Sequence, residues 1–224
     1  MRPFGPPIEI LGIEFLYFII VFSLCLIIYF RTRDIYKLTK HTGIFHFRNI
    51  FLYFSLAYLF RLLHVGIIFH LFSFRFPMMW HPVSLLVVGY FSTMAILSVV
   101  MASFVRKTSQ NKFLINSLLN IIAIALSVVV FLTRSPHIMV IIQAVVFLIA
   151  FFFVLKKNVK GFMSKTKIIY TLLFVFWVIN VLLFARGLVP IGLRIPLYVL
   201  SVGVFISIFI KVQKRLKVNA KKKR

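Results

Sequence analysis

The stretch FSLAYLFRLLHVGIIFHLF, residues 54–72, decides the fold class of this chain. Nearly every residue in it is apolar, yet Arg61 lies at its middle and His64 follows three positions later. As a helix, a run of this length reaches close to the roughly 30 Å thickness of the hydrocarbon layer of a membrane. The stretch therefore predicts a membrane-spanning helix that carries a charged group near its centre.

The composition of the whole chain agrees with that reading. Of 224 residues, 62% are hydrophobic; 28 are phenylalanines and only three are acidic. Such a chain has too few charges to cover a water-exposed surface. Backbone polar groups must pair within the lipid, and the apolar runs are too long for barrel strands, so they should be helices. We expect a single all-α, polytopic domain in the cell membrane.

Seven apolar blocks of about the required length follow one another along the sequence. Short connections rich in proline separate them on one side, so consecutive helices should be antiparallel neighbours. The chain is thus predicted to be a seven-transmembrane-helix bundle, followed by a basic cytoplasmic tail at residues 211–224. The predicted helices lie at about residues 8–30, 49–74, 84–104, 113–133, 138–155, 168–185 and 191–210.

The basic residues set the predicted orientation. All fifteen lysines fall in connections on one side of the seven blocks or in the tail. By the positive-inside rule that side is cytoplasmic, which places the N-terminus outside and the C-terminus in the cytoplasm. The net charge of +24 is therefore interpreted as a topology signal that also favours anionic lipid headgroups, and nucleic acid is not expected as a partner.

Arg61 is the first candidate for a functional residue. Burying a charge at the centre of a bilayer costs from about 3 to more than 10 kcal/mol, depending on the scale, so the side chain must face a partner or water. His64 shares its helix face, and Glu14 lies in the outer part of the adjacent first helix. We predict a Glu14–His64–Arg61 network, which either serves a function or only locks the bundle as an ion pair.

Other helices carry polar groups at a similar depth: Tyr90, Gln143, Asn180 and Tyr198. If these side chains turn inward, they line a polar cavity that opens to the outside. The alternative is that they only hydrogen-bond neighbouring helices, as polar side chains in membrane helices commonly do.

No motif for catalysis or for a cofactor is present. The single Cys25 lies in an apolar run, and His64 and His70 point to different sides of one helix. The chain lacks HExxH, GxSxG and phosphate-binding loop patterns. A surface metal or haem site at the outer histidines has no spacing motif to support it. We expect no enzymatic activity, no cofactor and no metal.

The stretch YFRTRDIYKLTKHTGIFHFRNIFLYFSLAYLFRLLH, residues 29–64, resembles small archaeal seven-transmembrane-helix proteins of unknown function. The resemblance implies a fold and a cell-membrane location but no activity, and no functional residue carries over. Opsins and G-protein-coupled receptors share the topology. Their retinal lysine and their NPxxY and DRY patterns are missing here.

Three functions remain open on these observations. The first is a sensor or receptor-like module that takes a small-molecule ligand from outside and signals to a separate cytoplasmic partner. The second is a small-solute transporter. A weak internal similarity between helices 1–3 and helices 5–7 suggests it, since a repeat of that kind would give a 3+1+3 arrangement. The third is a membrane scaffold or accessory subunit whose polar groups only pack helices.

Overall fold

The computed structural model describes residues 8–70, 77–104, 112–156, 162–184 and 189–221. These residues form seven α-helices and no strand, which confirms the all-α prediction. The helices are α1 Ile8–Thr39, α2 Thr42–His70, α3 Pro77–Phe104, α4 Lys112–Thr133, α5 Pro136–Lys156, α6 Phe162–Phe184 and α7 Ile191–Lys221.

Four of the seven helices are long and apolar enough to cross a membrane, which indicates a membrane protein. Two further helices, α5 and α6, hold shorter apolar segments at His137–Ile149 and Ile168–Leu183. The four long spans are Leu11–Leu38 in α1, Pro82–Ala102 in α3, Phe113–Thr133 in α4 and Gly192–Lys214 in α7.

Large apolar side chains cover much of the outer surface. Phe113 and Leu132 on α4 are 86% and 72% exposed, and Val199 on α7 is 68% exposed. Monomeric soluble proteins rarely expose contiguous apolar surface on this scale, because it would associate or aggregate in water. A hydrocarbon environment around these helices accounts for the pattern.

Each helix packs against its neighbours in the chain, and α7 returns to pack against α1. The third helix is also in contact with α5, so it lies between α2, α4 and α5. Side chains of α2 reach across to the last two helices, where the rings of Phe54 and Phe176 are 6.2 Å apart. The main core therefore forms where α1, α2, α6 and α7 meet.

The connection between α1 and α2 is shorter than the apolar blocks suggested. The first helix continues to Thr39 and the second begins at Thr42, which leaves two residues between them. Lys40 takes a left-handed conformation with φ of 47°, and the Gly43 N–H donates to His41 Nδ1 at 3.1 Å. Hydropathy measures the length immersed in lipid, whereas charged residues such as lysine and arginine continue a helix readily in water.

Two helices contain an internal proline close to their start. The sequence placed helix 3 from residue 84, whereas α3 begins at Pro77 and contains Pro82. The last helix begins at Ile191 and contains Pro196. Each proline is the sixth residue of its helix, so it removes the backbone hydrogen bond to the carbonyl four residues earlier and disturbs only the first turns.

Candidate functional site

Buried polar side chains from six helices lie in one region of the interior. We call this set the polar layer; each member is shielded from the surface and hydrogen-bonds at least one other member. The set consists of Tyr17 on α1, Tyr58 on α2, Ser92 on α3, Gln143 on α5, Asn180 on α6 and Ser201 on α7.

Asn180 is the centre of the larger part of the polar layer. Its Oδ1 accepts a hydrogen bond from the Tyr58 hydroxyl at 2.6 Å and another from the Tyr17 hydroxyl at 2.7 Å. Its Nδ2 donates to the Phe176 carbonyl at 2.8 Å and to Ser201 Oγ at 3.2 Å. The amide thus joins α1, α2 and α7 to α6 with all of its donors in use.

The direction of the remaining hydroxyl proton follows from these bonds. Tyr17 and Tyr58 both donate their single proton to Asn180, so neither has one left for Ser201. Ser201 Oγ lies 2.9 Å from the Tyr17 hydroxyl and is therefore the donor of that pair. The ring of Tyr198 packs beside Tyr17 with centroids 4.9 Å apart. Ser201, Tyr17 and Asn180 thus form a closed ring of hydrogen bonds into which Tyr58 donates, and hydrogen bonds connected in this way strengthen one another.

Gln143 and Ser92 form the smaller part of the polar layer, between α5 and α3. The Gln143 Nε2 donates to Ser92 Oγ at 2.6 Å. Ser92 in turn donates to the Val88 carbonyl one turn earlier in its own helix, at 2.5 Å. Ser92 would therefore keep one bond even without its partner on α5.

A cavity of about 30 Å³ connects the two parts of the polar layer. This volume has room for about two water molecules, and polar groups on its wall could bond them. Arg61 contributes to the wall, with its Cζ atom 5.4 Å from the centroid of the Tyr58 ring. The lining residues are Phe54, Ala57, Tyr58, Arg61, Ser92, Met139, Val140, Gln143, Phe176, Trp177, Asn180 and Val181.

Three residues singled out in the sequence, Arg61, Gln143 and Asn180, share this cavity wall. Tyr198 is not part of this wall, but its ring contacts that of Tyr17. Tyr90 is elsewhere, because its hydroxyl donates to Asn120 Oδ1 on α4.

The residues of the predicted Glu14–His64–Arg61 network lie in the cavity wall or within one helical turn of the groups described above. Glu14 is half-buried and precedes Tyr17 by three positions on α1, and His64 is half-buried and follows Arg61 by three positions on α2. Both therefore lie within one turn of groups at the site. The network itself stays a prediction.

An apolar block lies on one side of the polar layer, toward the lysine-rich ends of the helices. Phe51, Phe176 and Phe205 are fully buried there. The rings of Phe176 and Phe205 are 4.8 Å apart, and those of Phe51 and Phe205 are 6.5 Å apart. These three rings, which we call the phenylalanine plug, separate the polar layer from the basic end.

Tyr17 and Tyr58 were missed by reasoning from the sequence. Each has a signal that could have identified it, since Tyr58 is three positions before Arg61 and Tyr17 is three positions after Glu14. Residues at this spacing share a helix face. Among the residues that the structure describes, no three His, Cys, Asp or Glu side chains converge where they could hold a metal ion.

The fold and the polar layer define a helical membrane protein with hydrogen-bonding groups buried in its interior. The chain is 32% identical over 223 aligned residues to a protein of Archaeoglobus fulgidus described as "Uncharacterized protein"; the match covers 94% of this chain and 96% of that relative. The chain belongs to the same family as this archaeal protein. No protein-family model matches the chain. No solved structure matches it either.

Proposed function

We propose that the protein is a non-enzymatic, receptor-like module of the cell membrane that binds a small solute in the polar layer. All seven helices cross the membrane in this proposal, with the N-terminus outside and the basic end in the cytoplasm. The signal passes to a separate cytoplasmic partner, and the basic end also holds anionic lipid headgroups. The placement of the fifteen lysines supports this orientation.

The observation that carries the proposal is the cavity between Arg61, Gln143 and Asn180. Pure packing would favour apolar contacts at this depth, because polar groups in lipid are costly unless they are paired. Here an arginine and two amides face a space large enough for water. A solute that accepts hydrogen bonds from Arg61 would replace that water, and the side chains of the wall would move apart to admit one as large as pyruvate.

The chemistry of the wall indicates the class of solute. Arginine has only donors, and its planar guanidinium suits carboxylate oxygens. A carboxylate solute would take the place of Glu14, the proposed resting counter-ion of Arg61. We expect a small solute that carries acceptor oxygens, and a carboxylate above all.

The phenylalanine plug supports a receptor-like role. It closes the side of the polar layer that faces the basic end, so a solute reaches the site from the opposite end. One-sided access is what a receptor needs. His64, one turn beyond Arg61, is the proposed proton-sensitive member of the site, and Glu14 is the proposed resting counter-ion of Arg61.

Thermal-shift measurements on the purified protein test the proposal. Pyruvate, glycine and glucose represent small anions, amino acids and sugars. We expect pyruvate to raise Tm in a concentration-dependent way, as any ligand of the folded state does. Arg61→Gln should abolish the rise, whereas Tyr90→Phe, outside the cavity, should keep it. No rise with any of the three solutes would overturn the proposal and favour the scaffold function.

The proposed orientation has its own test. In a Cys25→Ser background, Lys37→Cys and Arg134→Cys each introduce one exposed thiol at opposite ends of the helices. A membrane-impermeant maleimide should label Arg134→Cys in intact cells and Lys37→Cys only after lysis. The reverse pattern would contradict the orientation, and labelling of both in intact cells would contradict the seven crossings.

A small-solute transporter is the second candidate, and one observation favours it. Four of the hydrogen bonds within the polar layer join one of the first three helices to one of the last three. Solute sites of transporters built from repeated halves lie at such an interface.

A further inference from the structure

The polar layer lies on the boundary between two groups of three helices. We call α1–α3 the first half and α5–α7 the second half; α4 connects them. Tyr17 on α1 bonds Ser201 on α7, Tyr58 on α2 bonds Asn180 on α6, and Ser92 on α3 bonds Gln143 on α5. Each half contributes one member to every one of these three pairs.

The third and seventh helices share a sequence signature. Residues 82–91 of α3 read PVSLLVVGYF, and residues 196–205 of α7 read PLYVLSVGVF. Five of the ten positions are identical, including the proline, the glycine and the final phenylalanine. Each proline is also the sixth residue of its helix, since α3 begins at Pro77 and α7 at Ile191.

The second and sixth helices lie opposite each other in matching register. Phe54 packs on Phe176, and Tyr58 bonds Asn180; in both pairs the residue numbers differ by 122. Two contacts one turn apart with the same difference mean that the helices run parallel at this point. A two-fold axis between two equivalent halves would place its central helices in this way.

The contacts of the outer helices are also consistent with two equivalent halves. The first helix packs on α7, and α5 packs on α3. Exchanging α1 with α5 and α3 with α7 converts one contact into the other. A plain ring of seven helices explains the contact between α1 and α7, but it explains neither the contact between α5 and α3 nor the shared signature.

We infer that the protein consists of two equivalent three-helix halves and that a solute bound in the polar layer is carried across the membrane between them. Movement of one half against the other would open the phenylalanine plug, because Phe51 belongs to the first half and Phe176 and Phe205 to the second. The inference rests on the solute site proposed above. The transported class is the same small carboxylate, for which Arg61 supplies the guanidinium.

Proteoliposomes loaded with the purified protein test the inference by uptake of radiolabelled pyruvate. We expect uptake at least about tenfold faster than into protein-free liposomes, as for a transporter with its site at the interface of two halves. Uptake should fall to the background with Arg61→Gln and stay near wild type with Tyr90→Phe.

Cross-linking separates movement between the halves from any other requirement. In a Cys25→Ser background, the pair Phe47→Cys and Tyr170→Cys joins the two halves outside the cavity wall, where the wild-type rings are 6.3 Å apart. The matched pair Phe147→Cys and Phe174→Cys lies within the second half, where the rings are 5.5 Å apart. A short bismaleimide should stop uptake with the first pair and leave it intact with the second.

The outcomes distinguish the two proposals. Pyruvate that raises Tm but is not taken up overturns the transport inference and leaves the receptor-like function standing. Uptake that persists after cross-linking of the first pair also overturns the inference. Absence of any rise in Tm overturns both proposals. Uptake that is blocked only by the cross-link between the halves supports the inference.

Discussion

At the scale of single residues, the interior contains two kinds of polar side chain with different consequences for stability. Asn180 Oδ1 accepts the Tyr58 proton at 2.6 Å and the Tyr17 proton at 2.7 Å, and the only other contact described for the Tyr58 hydroxyl is the longer one to the Tyr17 hydroxyl at 3.3 Å. Gln143 instead donates to a serine that already has a backbone partner. The free energy lost on removing a group depends on what it leaves without a partner, more than on the bond itself.

Asn180→Leu and Gln143→Leu form a matched pair that tests this difference. We expect Asn180→Leu to lower the free energy of unfolding by about 1–3 kcal/mol, since two buried tyrosine hydroxyls lose their shared acceptor and Tyr58 keeps only the longer contact with Tyr17 at 3.3 Å. Gln143→Leu should cost less than about 1 kcal/mol, because Ser92 keeps its bond and leucine fills a similar volume. Chemical denaturation in detergent measures both values, and equal costs would contradict the assignment of partners.

His46 gives a prediction about pH. It precedes the apolar span of α2, and its burial lowers the pKa of the imidazole below the usual value of about 6.5. As pH falls through about 6.5, the unfolded chain binds a proton at this residue before the folded protein does, so stability falls. Above that pH the residue contributes nothing to the pH dependence.

His46→Gln should therefore flatten the loss of stability between about pH 7 and pH 5. His137→Gln, which changes an exposed histidine on α5, is the control and should leave the wild-type slope in place. Melting curves across this pH range measure the effect. An unchanged slope in His46→Gln would mean that the imidazole does not resist protonation in the folded state.

At the scale of helices, the pair α1–α2 is held together at its basic end. The Arg48 guanidinium lies 5.1 Å from the Tyr29 ring, 5.0 Å from the Tyr36 ring and 5.3 Å from the Phe45 ring. Cation–π contacts of this kind contribute from about 0.5 to 2 kcal/mol, depending on how far the cation is removed from water. Arg48 thus ties the end of α1 to the start of α2.

The turn itself carries strain that one substitution should relieve. Lys40 has a φ of 47°, a conformation that costs a residue with a Cβ atom about 1–2 kcal/mol. We expect Lys40→Gly to stabilise the protein by about 0.5–1 kcal/mol. Lys37→Gly removes the same charge inside α1 and should instead destabilise it by about 1 kcal/mol. Unfolding free energies of the two variants that shift in the same direction would contradict this reading.

At the scale of the whole molecule, the sequence predicts the all-α class. It also predicts that Arg61, Gln143 and Asn180 lie at a similar depth in the interior. Polar groups are costly in lipid, so those three residues could be identified from the sequence as groups that must face the interior. The same reasoning missed Tyr17 and Tyr58, since tyrosine also occurs at membrane interfaces and its presence in an apolar run does not show which way it faces. It also grouped Tyr90 with the others, although α3 turns that side chain toward α4.

The contacts between helices distant in sequence could not be predicted. Depth follows from position along a helix, but rotation about the helix axis does not. The bond from Tyr58 to Asn180 depends on the rotation of both α2 and α6, and two highly apolar helices show no clear polar face that would set it. The boundary between the two halves became visible only from such contacts.

A double-mutant cycle on Tyr58 and Asn180 measures whether the two halves meet in a shared polar layer. Tyr58→Phe should destabilise the wild type but cost little in an Asn180→Leu background, where the Tyr58 hydroxyl keeps only its 3.3 Å contact with the Tyr17 hydroxyl. We expect a coupling free energy of about 1 kcal/mol, within the range found for hydrogen bonds between membrane helices. Effects that simply add, to within about 0.3–0.5 kcal/mol, would show that the two side chains do not interact and would contradict the polar layer.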